Sequence, residues 1–206
     1  MVRLDLIGHG GTAAPRAGYA IERQAALVSA VLDNLGVESA KVIGHSMGGE
    51  VATALVEMRP TLVKRLVLID SPATVDAKFT PVMQAYLTPV LGEAISRFMT
   101  DNDIRRGLAQ GFAPGFPIPE RFVADFRQLT YKAFRLAHEE SVAYRTKKPT
   151  YERLAAIVAP PPLLAITGSI DAIVPPASAM LYARVRGARV EIVQGLWPFA
   201  HDREAE

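Results

Sequence analysis

Short runs of aliphatic and β-branched residues alternate with stretches whose apolar positions recur at helical spacing, the pattern of a parallel sheet covered by helices. Residues 2–7 read as a strand, followed by the loop Gly8-His9-Gly10-Gly11. A helix then carries Ile21, Ala25, Val28, Val31, Leu32 and Leu35 on one face, and Gly36 stops it. Residues 41–43 form a second short strand that runs into Gly44-His45-Ser46-Met47-Gly48-Gly49; Val51, Leu55 and Met58 follow at helical spacing until Pro60. Residues 65–69 predict a third strand with Asp70-Ser71-Pro72 at its end. From 76 to 150 the strand signal disappears and prolines and glycines punctuate helical pieces, the longest over 119–146. Strands resume at 163–167 and 190–193, separated by a helix over 178–186. The pattern therefore predicts an α/β core, residues 1–75 and 151–206, interrupted by a helical insertion over 76–150. That insertion leaves at the C-terminal edge of the sheet, where ligands of open α/β sheets bind, and is placed to act as a lid.

Composition narrows the function classes. The 206 residues fit one domain of ordinary size. Half the chain is apolar, and 23 Lys+Arg against 21 Asp+Glu leave a formal charge of +2, which speaks against a nucleic-acid partner. With no cysteine and with histidines scattered at 9, 45, 138 and 201, neither a metal site nor a thiol nucleophile is expected. No apolar run reaches the ~18 to 20 residues that span a bilayer, and the opening residues do not read as a signal peptide. The expectation is a cytoplasmic protein that meets neither membrane nor nucleic acid and needs no cofactor.

The strongest chemical signal is Gly44-x-Ser46-x-Gly48 between a short strand and a helix. A sharp strand-to-helix turn crowds the backbone, so Gly44 and Gly48 are expected where a Cβ cannot fit. Ser46 is then thrust out at the helix N-terminus, where backbone N–H groups and the helix dipole stabilise negative charge. A glycine-rich helix start with a solvated serine is the plainer alternative. Gly8-x-Gly10-x-x-Ala13 superficially fits a dinucleotide turn, but Pro15 and Gly18 delay the helix and no acid closes the next strand.

In these segments the chain resembles the α/β-hydrolase superfamily, in its serine-nucleophile, esterase-like branch. Asp5-Leu6-Ile7-Gly8-His9-Gly10 looks like the family's D-x-x-G-x-G loop and Gly44 to Gly49 like its nucleophile elbow; Gly168-Ser169-Ile170-Asp171 with Ile173-Val174-Pro175 looks like the segment that bears its acid. The resemblance implies Ser46 as nucleophile, Asp171 as the carboxylate that orients a histidine, and the Met47 N–H as oxyanion donor. Asp70 is the second candidate acid, its plainer reading a capping residue before Ser71-Pro72. The implied chemistry is hydrolysis of small carboxylic esters or related acyl compounds through an acyl-enzyme. No basic cluster for an anionic substrate is evident in the insertion.

Two features depart from the family pattern. The usual Gly-His-x-Pro reads Gly195-Leu196-Trp197-Pro198, so Leu196 stands where the histidine is expected, and His201 becomes the candidate base, or else a solvated tail histidine. His45 is expected to face away from the site, His9 to be a loop residue and His138 a lid residue. The strands and helix that precede the D-x-x-G-x-G loop in the family are also absent, and with them a second oxyanion donor. The sheet is thus expected to lack its first strands. The slot between residues 2–7 and 41–43 would be closed by direct pairing, by another chain in a homodimer, or by the rest of a longer protein. A catalytically impaired hydrolase-like binding protein is the alternative reading.

Overall fold

The structure is a computed structural model and describes residues 1–195, 197 and 198. In chain order, α1 (Ile21–Asn34), β1 (Ala40–His45), α2 (Met47–Met58) and β2 (Val63–Ile69) come first. The helices α3 (Pro81–Leu87), α4 (Pro89–Phe98), α5 (Asp101–Leu108), α6 (Glu120–Gln128), α7 (Tyr131–Lys147) and α8 (Thr150–Ala155) follow. The chain then returns to the sheet with β3 (Leu163–Gly168), α9 (Pro176–Ala179) and β4 (Ala188–Val193).

The strands are short apolar runs whose side chains need cover on both faces, and they pair in parallel in the order β1-β2-β3-β4. The register sets Gly44 beside Leu68 and Leu68 beside Ala165, so β1, β2 and β3 end level with one another. The core is built from Leu66, Leu68, Leu163 and Ala165 of the sheet and from Val51, Leu55 and Val56 of α2. Helix α2 is buried from Gly49 through Val56, which fits its almost uninterrupted apolar sequence. α1 packs on α2 through Ile21, Ala25 and Leu32 and ends where Gly36 turns at φ 69°.

Three expected elements differ. Residues 2–7 do not form a strand. Their alternating pattern suits one, but a strand exists only through a paired neighbour, and an apolar groove of about 600 Å³ lies between Val2, Leu4 and Leu6 and the edge of β1. The helix expected over 119–146 is two helices, because the Thr130 side chain accepts the Ala133 N–H and starts α7 afresh. The helix expected over 178–186 is the short α9 followed by a 3₁₀ stretch over Met180–Arg184. Between β2 and β3, α6 and α7 bring Phe126, Tyr131 and Phe134 together with Tyr86 of α3 in an aromatic cluster. No helix among the described residues is long and apolar enough to cross a membrane.

Leu66 is 1% exposed and sits between Val42 and Leu163 at the centre of the sheet. Leu66→Ala should lower the unfolding free energy by ~2–5 kcal/mol, read from the midpoint of urea denaturation. A loss within ~0.5 kcal/mol, as at surface positions, would contradict this packing.

Candidate active site

Ser46 joins β1 to α2 with φ 49° and ψ −122°, a left-handed conformation that an ordinary residue occupies only at a cost of ~1–3 kcal/mol. The surroundings impose it. The Ser46 N–H donates to the Ile69 carbonyl (2.9 Å), and the Ser46 carbonyl accepts from the Gly49 N–H (2.9 Å) and the Ser71 hydroxyl (3.0 Å). A Cβ on Gly44 would lie 2.5 Å from the Gly48 carbonyl oxygen and 2.6 Å from the Gly49 Cα, so β1 and α2 approach this closely only across glycine. The second glycine the turn requires is Gly49, whose Cβ would collide with the Ser71 side chain; a Cβ on Gly48 would meet nothing within 4 Å. Met47 is the first residue of α2, so its N–H has no intrahelical acceptor.

Asp171 lies in the loop after β3 and is buried. Its Oδ1 accepts the N–H groups of Ile173 (2.7 Å) and Val174 (2.9 Å), while its Oδ2 is buried with no partner among the described residues. Burial pushes this carboxyl above the ordinary range, against the pull of those two N–H groups. Asp70, at the end of β2, is more buried still and has φ 44°. It caps nothing at Ser71-Pro72. Its Oδ1 instead accepts the Gly168 N–H (3.1 Å), tying the end of β2 to that of β3, and its Oδ2 has no partner among the described residues. Burial raises its pKa to about 7; the Gly168 N–H opposes the rise and the Asp171 charge adds to it.

Ser46 and Met47 line a pocket of about 300 Å³ whose apolar walls include Phe79, Met83, Leu108, Phe126 and Phe134 from the inserted helices and Ile173 and Val174 from the loop after β3. His9 and His138 line it as well. The His9 Nδ1 lies 3.0 Å from the Ile7 carbonyl oxygen, to which it donates. His138 packs edge-on against Phe79, and burial together with the nearby Arg145 charge holds its imidazole below the usual range. His45 lies on the other side of β1, along the groove beside residues 1–4. Leu196 and His201 lie outside the described residues.

One group of pocket residues escaped the sequence reading. Arg145 of α7 is 4% exposed and pairs with Glu50 of α2, which is fully buried. Ser141 completes the cluster, donating to Glu50 Oε1 (3.0 Å) and accepting from Arg145 Nη1 (2.8 Å). The available signal was Glu50 itself, a charge within the part of α2 that is buried from Gly49 through Val56. Among the described residues no group of three or more His, Asp or Glu side chains is arranged to hold a metal ion.

Comparison with known proteins agrees with this fold. The alpha/beta hydrolase family matches the chain over residues 1–205. Lipase LipV of Mycobacterium tuberculosis is 42% identical over 74 residues, which are 35% of this chain and 27% of the lipase. The 2-hydroxymuconate semialdehyde hydrolase of Pseudomonas putida is 29% identical over 136 residues, 57% of this chain and 48% of that enzyme. The crystal structure of a hydrolase from Pseudomonas aeruginosa superposes with a TM-score of 0.73 at 26% identity, over 95% of this chain and 71% of that one. The chain spans less than half the length of the curated relatives it matches.

Asp70 yields a pH prediction. Its folded pKa of about 7 stands above the ordinary 3.8, so the folded protein holds a proton that the unfolded chain releases. Its contribution is therefore fully present below about pH 4 and is lost as pH rises through about 7. Asp70→Asn keeps an acceptor for Gly168 and cannot ionise. The variant should gain stability relative to the unmodified protein between pH 5 and pH 8 in parallel urea titrations; a difference independent of pH would refute the buried, protonated carboxyl.

Proposed function

The chain belongs to the alpha/beta hydrolase family, and from that premise we propose that it hydrolyses small carboxylic esters or related acyl compounds through an acyl-enzyme on Ser46. The observation that carries the reading is the backbone of Ser46. A left-handed serine locked by three hydrogen bonds, at the start of a helix and on the wall of a pocket, is strain with a use: it presents the hydroxyl to a ligand.

The proposed steps follow from the groups at that turn. The Ser46 oxygen attacks the acyl carbon while an imidazole takes the hydroxyl proton. The Met47 N–H faces the oxygen that becomes negative, and the dipole of α2 favours the same charge. Collapse breaks the ester bond, the alcohol leaves with the proton held by the imidazole, and water repeats the sequence to release the acid. Asp171 orients the imidazole: two backbone N–H groups hold its Oδ1, and its buried Oδ2, which has no partner among the described residues, accepts from that imidazole. His201 is the base in this reading. The insertion over 76–150 acts as the lid, and its phenylalanine-lined wall suits a compact apolar acyl or alcohol group. The lipase and semialdehyde hydrolase among the relatives support hydrolysis as the reaction class.

The test uses a fluorophosphonate probe and p-nitrophenyl acetate. The purified chain should label at Ser46 and turn over the ester, and Ser46→Ala should abolish labelling and lower the rate by ~10³-fold or more. Labelling or turnover that survives Ser46→Ala, or none in the unmodified protein, would overturn the assignment.

A further inference from the structure

The pocket wall that carries Ser46 also carries a buried cation with unused donors. Arg145 is 4% exposed, yet it lines the pocket together with Ser141 and His138. Its Nη1 is engaged by Glu50 and Ser141, whereas its Nε has no acceptor among the described residues. A guanidinium has donors in a planar fork, and a buried donor left unpaired is unfavourable. Glu50 is an incomplete counter-charge, since its Oε2 is buried without a partner and burial pushes its carboxyl up to about 7 even beside Arg145. The remaining walls are largely apolar. Glu50 lies in the first turn of α2, about 6 Å along the helix axis from Ser46. One small molecule can therefore reach both places.

We propose that Arg145, backed by Ser141 and Glu50, is a carboxylate-recognition site in the Ser46 pocket, and that the chain selects acyl compounds bearing a carboxylate a few carbons from the scissile carbonyl. This rests on the hydrolase reading for its chemistry but not for its binding. The ligand carboxylate accepts from the guanidinium donors that Glu50 and Ser141 leave free. The ester end lies at Ser46 and Met47, and the methylenes between occupy the apolar wall. His138, held below the usual imidazole range, is a neutral neighbour that does not repel or attract the anion strongly. The insertion shows no basic cluster, and in this proposal a single arginine at a buried position suffices for an anionic substrate.

The test compares monomethyl glutarate with methyl pentanoate, two esters of equal acyl length that differ in the terminal carboxylate. Calorimetric titration of Ser46→Ala protein reads binding without turnover. Monomethyl glutarate should bind roughly ten- to a hundredfold more tightly. Adding Glu50→Gln removes the competing anion and should widen that ratio. Adding Glu50→Gln and Arg145→Gln together removes both charges, avoids stranding either, and should bring the ratio to about one. A ratio near one in the Ser46→Ala protein overturns the proposal, as does no binding of monomethyl glutarate or a ratio that survives loss of Arg145. Should the doubly neutralised variant fail to fold by circular dichroism, Glu50→Gln decides alone, and a ratio that narrows or stays the same overturns the site. Selective binding combined with no Ser46-dependent hydrolysis would retain the site and reject the hydrolase reading. Hydrolysis without carboxylate selectivity would do the reverse.

Discussion

The close approach of β1 to α2 at Gly44 is the constraint from which the site follows. With no Cβ at that position, the backbone of Gly48 and Gly49 can lie against the strand end, and Gly49 in turn rests on Ser71. The chain has no room for a relaxed loop between strand and helix, so the connecting residue takes a positive φ, and that residue is Ser46. Its strain is held by hydrogen bonds to β2 and to the residues that follow β2. Packing of the sheet and geometry of the hydroxyl are therefore one problem, and a change that loosens β2 would be felt at Ser46.

The parallel sheet adds a second consequence. Because β1, β2 and β3 end level, the loops that leave them meet, and Ser46, Asp70 and Asp171 come from three successive strand ends. The Asp171 charge raises the proton affinity of Asp70 in this buried region, and the structure separates the environments of the two carboxyls. Asp171 accepts two backbone N–H groups and Asp70 accepts one, so the charge is better tolerated on Asp171. The acid assigned to the triad in the proposed reaction is thus the one with more backbone donors, and Asp70 ties β2 to β3 through the Gly168 N–H.

How far the sequence could be read depended on how local the deciding physics is. The four strands of the sheet, the turn at Ser46 and the helix after it come from short apolar runs, a glycine and a proline, all visible within a few residues. Residues 2–7 misled because strand propensity is local and strand pairing is not. The split between α6 and α7 at Thr130 was hidden by a hydrophobic pattern that continues across it, while the cap that restarts the helix uses one hydroxyl. Gly48 was read as essential by its place in the motif. The crowded glycine is Gly49, which depends on Ser71 more than twenty residues away in sequence. The pairing of Glu50 with Arg145 spans 95 positions, and no spacing rule reports it.

That pair also bears on why the insertion sits where it does. A buried ion pair is an expensive way to join two helices, since removing the charges from water costs several kcal/mol per ion and apolar residues of similar volume commonly do as well or better. If Glu50 and Arg145 served only to fasten α7 to α2, an apolar contact would be the cheaper solution and Ser141 would be superfluous. The C-terminal end of α2 is also joined to α7 and α8 through a different set, in which Tyr144 of α7 donates to Glu57 and Arg153 of α8 reaches both Glu57 and the Tyr144 carbonyl. Fastening is therefore accounted for without Arg145. What remains distinctive about Arg145 is its position on the wall that Ser46 shares, and there a buried charge does something an apolar contact cannot: it distinguishes ligands by their charge.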